Sequence, residues 1–162
     1  MLIAVISDTH LPRGRRALPD ACTARLAAAE LILHAGDVVQ ASVLAQIESL
    51  GPPVSAVHGN VDSAELCRRL PAERTIAAGG ARIGIVHDAG PARGRLERLR
   101  GRFPDANAVV FGHSHVPLHE RDAGFQIFNP GSPTDRRGQP RHTMGVAEAE
   151  GGRLRFEHVT LD

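Results

Sequence analysis

The stretch LIAVISDTH, residues 2–10, joins a short apolar run to a polar tail. Residues 2–6 contain no polar side chain, a pattern that is typical of a strand buried on both faces of a sheet. The tail places polar side chains directly after that strand. The same arrangement of a buried strand and a polar ending recurs at residues 31–37, 54–60, 83–87 and 108–115. This recurrence indicates both the class of fold and the place where functional residues gather.

The segments between and after these strands complete the predicted architecture. Helical patterns occur at residues 20–29, 41–50, 65–70 and 91–101. Residues 74–78 and 82–87 flank Gly79-Gly80, which predicts a β-hairpin. Short strands then follow one another at residues 116–120, 125–128, 142–150 and 153–160. We therefore expect an α/β fold in which sheet packs on sheet with helices outside, built as a single domain over residues 1–162.

The composition narrows the classes of partner. The chain has 162 residues, is 42% hydrophobic and carries a formal net charge of +1, which argues against disorder and gives no charge excess for nucleic acid or a membrane. The arginine-rich helix at residues 91–101 has no aromatic side chain for stacking on bases, so we interpret its arginines as a solvated face. The apolar start is too short for a signal or a membrane span. By elimination we expect a cytoplasmic protein; the sequence leaves open whether it forms a homo-oligomer.

Five strand endings supply side chains that can bind metal. In open α/β sheets the carboxyl ends of strands line the ligand crevice, so we expect these side chains to meet at one edge. Residues two apart point the same way in an extended or loop segment, which explains the Asp-x-His and His-x-His spacings. Gly36, Gly59 and Gly112 precede them and let the backbone approach closely. The predicted metal ligands are Asp8, His10, Asp37, Asn60, His87, His113 and His115.

The donor set indicates the chemistry. All seven side chains offer oxygen or imidazole nitrogen and none is a thiolate, which suits divalent cations such as Mn²⁺, Fe²⁺, Zn²⁺ or Co²⁺. Seven donors exceed the needs of one tetrahedral ion and fit two cations that share a carboxylate. Two cations about 3.5–4 Å apart can clamp phosphate oxygens and lower the pKa of a shared water. The sequence therefore predicts a phosphoesterase acting on a small phosphate ester, with two divalent metal ions as cofactors.

With these motifs the chain resembles the calcineurin-like metallophosphoesterases, and within them the small bacterial and archaeal phosphodiesterases related to the retromer subunit of eukaryotes. The matching segments are SDTH (7–10), HAGD (34–37), HGNVD (58–62), VHD (86–88), FGHSH (111–115) and NPGS (129–132). The resemblance implies a β-sandwich flanked by helices and phosphodiesterase activity. It implies one metal on Asp8, His10, Asp37 and His115, and a second on Asp37, Asn60, His87 and His113, with Asp37 bridging. We expect Mn²⁺, with Ni²⁺, Co²⁺, Fe²⁺, Zn²⁺ or Mg²⁺ as alternatives.

One position departs from the larger relatives. Many of them carry a His directly after the motif Asn, where it acts as a general acid near the leaving group; here that residue is Val61. His58 and Asp62 are close in sequence, and we name both as candidate catalytic residues that could donate a proton directly or through water. The alternative is that His58 points away and that Asp62 caps the next helix. If the general acid that protonates the leaving group is weak, we expect a preference for aryl esters, because their leaving groups are weak bases.

Further side chains carry open alternatives. Arg13 is the candidate substrate-binding residue, since guanidinium matches phosphate oxygens and it is nearest the predicted metals; the alternative is an arginine in a solvated loop. Asp88 either orients a ligand or is a loop acid. His34 is expected to be a buried, hydrogen-bonded core histidine, and Ser132 to have a structural role. The second reading of the whole chain is a catalytically weak or inactive metal-binding scaffold for protein–protein interaction; the complete donor set favours the enzyme.

Overall fold

The computed structural model describes residues 1–162 and contains ten strands and four helices. The strands are β1 (Leu2–Ile6), β2 (Leu31–His34), β3 (Val54–Ala56), β4 (Glu73–Ala78), β5 (Ala81–Val86), β6 (Ala108–Val110), β7 (Leu118–Asp122), β8 (Phe125–Asn129), β9 (Thr143–Glu150) and β10 (Arg153–Thr160). The helices are α1 (Asp20–Ala28), α2 (Ala41–Glu48), α3 (Ala64–Arg69) and α4 (Arg95–Arg102). No helix has both the length and the apolar character needed to cross a membrane.

The strands form two sheets of five. One has the order β10-β9-β1-β2-β3, with β1, β2 and β3 parallel. The other has the order β4-β5-β6-β8-β7, with β5, β6 and β8 parallel. Parallel strands need covered faces because their crossover connections place chain over the sheet. The apolar runs of β1, β2 and β6 meet that need.

Alternating residues of each strand serve two different layers. Ile3, Val5 and Leu33 of the first sheet pack against Ile85 and Phe128 of the second, which forms the core between the sheets. The intervening residues point outward to the helices. Helices α1 and α2 cover the first sheet, with Leu26, Leu44 and Ile47 against Ile6 and Ile32. Helix α4 covers the second sheet through Leu96, Leu99 and Phe103. The predicted layered sandwich with outer helices is confirmed.

The element boundaries differ from the sequence prediction mainly at the strand ends. Strand β3 stops at Ala56 and β6 at Val110, each before the predicted end. Helix α4 begins at Arg95, four residues later than predicted, because its N-cap Gly94 adopts a left-handed conformation with φ of 68°. Every metal-ligand candidate therefore lies in a loop just beyond a short strand. Because these strands belong to both sheets, the loops meet across the shared end of the sandwich.

Candidate metal centre

Backbone hydrogen bonds join the loops that carry the candidate ligands. The Asp8 N–H donates to the Gly36 carbonyl at 2.9 Å, and the His10 N–H donates to the Asp37 carbonyl at 3.0 Å. Those bonds connect the loops after β1 and β2. The loop after β6 joins them through the His113 N–H, which donates to Asp8 Oδ2 at 3.0 Å. The two sheets thus share one polar cluster at this end.

Glycines leave the space that the ligand side chains fill. A Cβ at Gly36 would lie 2.7 Å from His87 Nδ1 and 2.9 Å from the Gly59 nitrogen. A Cβ at Gly59 would overlap the Asp37 carboxylate, and one at Gly112 would overlap the Ser7 hydroxyl and crowd Asp8. The three glycines are therefore needed for close approach, as the sequence predicts. The neighbours that they accommodate are the ligand side chains of other loops.

Asp8, His10 and His115 form the first group of donors that could hold a metal. His10 Nε2 lies 3.2 Å from His115 Nε2, and His115 Nε2 lies 3.4 Å from Asp8 Oδ1. Asp8 and His115 are buried, and the His10 side chain is only 12% exposed. The first half of the predicted constellation is thus assembled with its nitrogen and oxygen atoms converging.

The second half lies around His87. Its Nε2 is 3.3 Å from Asp37 Oδ2 and 3.0 Å from Asn60 Oδ1. His113 approaches the same amide oxygen, with Nδ1 at 3.1 Å from Asn60 Oδ1. The ligand atoms of Asp8, Asp37 and His87 lie within 4.8 Å of one another, so these three residues could also hold a metal. All seven predicted donors are therefore brought together.

Asp37 lies between the two halves. Its Oδ2 is 3.4 Å from His10 Nε2 and 3.3 Å from His87 Nε2, while its Oδ1 accepts the Val61 N–H at 3.0 Å. Burial raises the pKa of this carboxyl, but the contact with His87 and the Val61 N–H outweigh it and lower the pKa to about 2. The group is a carboxylate at neutral pH, and one of its oxygens lies within 3.4 Å of imidazole nitrogens from both halves.

Two backbone carbonyls fix which imidazole nitrogen faces the centre. His87 Nδ1 donates its proton to the Ala35 carbonyl at 2.8 Å, and His115 Nδ1 donates to the Asp135 carbonyl. In each neutral ring Nε2 then carries a lone pair and lies within 3.4 Å of a carboxylate oxygen. The lone pair and the carboxylate repel each other, so the arrangement is favourable only when positive charge lies between these two atoms. Although burial lowers the pKa of His87, the Asp37 and Asp8 carboxylates prevail and raise it. The donor set fits a metal cation, because the cluster attracts positive charge and presents lone pairs to it.

The spacing of the ligands has a different cause from the predicted one. Asp8 and His10 have φ of 56° and 46°, and His113 and His115 have φ of 69° and 59°. These are left-handed conformations in loops, so the Asp-x-His and His-x-His spacings do not arise from extended backbone. In both motifs the two donors are left-handed, and the residue between them, Thr9 or Ser114, is not. Asp37 is also left-handed, at 59°. Non-glycine residues rarely adopt this conformation, and they concentrate at functional sites.

The candidate proton donors have contrasting surroundings. Asp62 accepts three backbone N–H groups, from Gly59 at 2.6 Å, Asp37 at 3.1 Å and Val39. Both its oxygens thus hold the ligand loops in place, and the helix cap is Ser63, whose hydroxyl accepts the Leu66 N–H. The predicted capping role of Asp62 is wrong for that reason. His58 is half-buried and lines a cavity together with Asn60 and His87.

The remaining candidates lie around the rim. Arg13 is 66% exposed and pairs with Asp135, Nη1 to Oδ2 at 3.4 Å. Asp88 is exposed and its Oδ1 accepts the Gly90 N–H at 2.7 Å, which is the contact of a loop acid. His34 is fully buried, with Nε2 3.2 Å from Thr9 Oγ1 and Nδ1 accepting the Gly36 N–H, as expected of a core histidine.

The NPGS segment holds the ligand loops together. Ser132 Oγ donates to the Asp8 carbonyl at 2.7 Å and accepts the Asp135 N–H at 2.8 Å. Asn129 Nδ2 donates to the Gly112 carbonyl at 2.9 Å. The residue that sequence analysis missed is Asp135, which orients His115 through its carbonyl. Its position three residues after Ser132 is the only signal in the sequence that leads to it.

The arginines of α4 have partners within the chain. Arg98 donates to the carbonyls of Ala89 and Pro91, and Arg100 pairs with Asp122 at 2.9 Å. Arg102 pairs with Glu73 at 2.6 Å. The interpretation of a purely solvated face was therefore too simple. These guanidinium groups hold loops and strands against the helix.

A chain with two packed sheets, outer helices and an Asp, Asn and His cluster at their shared end has the features of a metal-dependent phosphoesterase. Residues 1–152 match the calcineurin-like phosphoesterase superfamily domain, and the chain belongs to that family. A probable metallophosphoesterase of Methanothermobacter thermautotrophicus is 37% identical over 136 residues, which cover 83% of this chain and 78% of the relative.

Two solved structures extend the comparison of the fold. Vps29 of Entamoeba histolytica in complex with Zn²⁺ has a TM-score of 0.78 at 23% identity, and the match covers 100% of both chains. An archaeal phosphodiesterase has a TM-score of 0.73 at 21% identity, with 98% of this chain and 100% of that chain covered. The fold of this protein is therefore shared with both.

Proposed function

We propose that the protein hydrolyses phosphodiesters at a centre of two divalent cations. The ligands would be the seven donors, with Asp37 shared between the two sites. Membership of the family and the proximity of all seven donors support this proposal. The archaeal phosphodiesterase of the same fold agrees with a diester as substrate.

The observation that carries the proposal is the orientation of His87 and His115. Carbonyls of Ala35 and Asp135 accept their Nδ1 protons and leave Nε2 within 3.3 and 3.4 Å of acidic oxygens. Each neutral ring has committed its one proton, on Nδ1, to a carbonyl. Positive charge between Nε2 and the acidic oxygen, from a metal ion or from a second proton on the ring, is therefore what makes the arrangement favourable. The arrangement suits metal coordination by Nε2.

The cations would supply two effects when bound, a lower pKa of a shared water and neutralisation of charge on the phosphoryl oxygens. The remaining work falls to the chain itself. Asp62 holds the loops of Asp37 and Gly59 in register through its backbone contacts, so we assign it a positioning role. His58, which lines the cavity next to Asn60, is the proposed proton donor to the leaving oxygen.

Arg13 is the proposed contact to a substrate phosphate oxygen. Its guanidinium is mostly exposed, and its ion pair with Asp135 at 3.4 Å is a surface interaction that contributes little to stability. The side chain can therefore exchange Asp135 for a substrate at small cost. The same Asp135 also pairs with Arg16 at 3.3 Å, so its carboxylate keeps a partner when Arg13 leaves.

The test is hydrolysis of an aryl phosphodiester and an aryl phosphomonoester by protein stripped of metal. Mn²⁺, Ni²⁺, Co²⁺, Mg²⁺, Fe²⁺ and Zn²⁺ are added back in turn, with Mn²⁺ expected to restore the highest rate. Activity that survives a chelator would refute the metal-dependent mechanism. Stoichiometric metal binding without hydrolysis of any ester would instead support the scaffold alternative. An alkyl phosphodiester is assayed beside them, and comparable rates on the alkyl and aryl diesters would contradict the expected weakness of acid catalysis.

A further inference from the structure

A cavity of about 250 Å³ opens directly beside the second half of the metal centre. Asn60 and His87 belong to both the cavity wall and the donor cluster. The rest of the wall comes from His58, Gly59, Ala72, Val86, Asp88 and Arg102. A group attached to a phosphate at the centre would therefore extend into this space.

The polar groups of the wall are largely occupied by partners in the chain. Asp88 Oδ1 accepts the Gly90 N–H at 2.7 Å, and Arg102 directs Nε and Nη2 at Glu73 Oε2, both at 2.6 Å. Outside the donor atoms themselves, the wall includes two apolar residues, exposed Ala72 and buried Val86, and the half-buried His58. A group that fills it needs flat apolar surface more than hydrogen bonds.

The size of the cavity limits what it can hold. Pockets for drug-sized ligands begin at about 300 Å³, so a volume of about 250 Å³ suits a smaller group, such as one aromatic ring. Arg102 also lines a neighbouring cavity of about 230 Å³ on its other side, next to Glu73 and Phe103. The Arg102 side chain thus separates the two spaces and sets the limit.

We propose that this cavity is the subsite for an aromatic ring of the phosphate ester, and that Ala72 and Arg102 determine its size. This inference rests on the proposed function, because the metal centre positions the phosphate. A single aryl ring buries apolar surface there, whereas a methyl group leaves the cavity to water. The protein is then selective for aryl over small alkyl substituents through binding, independently of how the leaving oxygen is protonated.

The experiment compares phenylphosphonate with methylphosphonate, neither of which is hydrolysed, on Zn²⁺-loaded protein by calorimetry and NMR. Phenylphosphonate is expected to bind about tenfold more tightly, since burying a phenyl ring contributes at least one factor of ten. Only the phenyl compound should shift the resonances of Ala72 and Val86. Ala72→Phe, at an exposed position, should remove that advantage. Ala77→Phe, at an exposed position of β4 outside the cavity, is the matched control and should keep it.

Arg102→Ala makes the opposite prediction. Loss of the dividing side chain should let 1-naphthylphosphonate bind several-fold more tightly relative to phenylphosphonate. Equal affinities of phenylphosphonate and methylphosphonate in the wild type would overturn the aryl subsite and leave the metal centre standing. Absence of binding by both phosphonates to Zn²⁺-loaded protein would overturn phosphate binding at the centre, on which the proposed function rests, and with it the subsite. An Ala72→Phe variant that retained the tenfold preference would place the ring elsewhere and refute the assignment.

Discussion

Replacing Asp37 by Asn tests the bridging role of this carboxylate. The substitution preserves shape and removes the one negative charge whose oxygen lies within 3.4 Å of imidazole nitrogens from both halves of the centre. Removing one partner of a buried charge pair costs about 3–5 kcal/mol, which corresponds to about 10²- to 5 × 10³-fold in affinity. We expect that loss in Mn²⁺ binding, together with loss of nearly all turnover.

The assay is thermal unfolding and calorimetry of metal-free protein titrated with Mn²⁺. At a metal concentration 100 times the dissociation constant, binding stabilises the wild type by about 2.7 kcal/mol, or about 5–10 °C in Tm for a chain of this size. The Asp37→Asn variant at the same concentration should gain less than about 1 °C. Asp88→Asn, which changes a loop acid beside the same centre, serves as the control and should respond like the wild type. Two Mn²⁺ ions bound by Asp37→Asn with wild-type affinity would refute the bridge.

Three further outcomes follow from the contacts around the centre. Ser132→Ala removes a buried hydroxyl bonded to the Asp8 carbonyl and the Asp135 N–H, and should cost about 2–3 kcal/mol in urea unfolding, against less than about 1 kcal/mol for exposed Ser49→Ala. Burial lowers the pKa of His34 from 6.5 to about 4, so its contribution to metal-free stability is complete above pH 6.5 and is lost as pH falls towards 4. His34→Gln should remove that part of the pH dependence, measured as unfolding free energy against pH; an unchanged slope would contradict it. His113→Gly removes about 1 kcal/mol of left-handed backbone strain and raises the conformational entropy of the unfolded chain by a similar amount. The unfolding free energy of the metal-free variant should therefore stay within about 1 kcal/mol of the wild type. Calorimetry should show that its affinity for Mn²⁺ falls.

The sequence predicts well which candidate donors come together, because the information that places them is local. An apolar run followed by Asp, Asn or His marks a strand end, and parallel strands bring such ends together, so the proximity of Asp8, Asp37 and His113 needs no knowledge of loop geometry. The layered fold follows equally from the order of strands and helices. Strand ends were less predictable: β3 and β6 stop early because their last predicted residues enter the ligand loops.

The sequence pattern of apolar runs and polar endings does not predict the contacts that orient the ligands. Asp135 binds His115 through its carbonyl, and any residue type has a carbonyl, so no side-chain signal marks it. Asp62 illustrates the opposite difficulty. An acid beside a metal motif suggests proton transfer, yet its three N–H partners come from two ligand loops, Asp37 and Val39 after β2 and Gly59 after β3. Only the folded arrangement shows that this carboxylate holds loops in place.

The backbone of the ligand loops explains why the centre is built from loops instead of strands. A strand presents alternate side chains about 7 Å apart, which is too far for two donors to one ion. The left-handed residues Asp8 and His10 fold the chain so that Nε2 and Oδ1 come within 3.9 Å, and His115 completes the group from the other sheet. Each such residue costs about 1 kcal/mol or more in backbone energy. The hydrogen bonds made by Ser132, Asp62 and the Gly36 carbonyl offset that cost. The donors can therefore lie this close together only because these bonds hold the ligand loops rigidly.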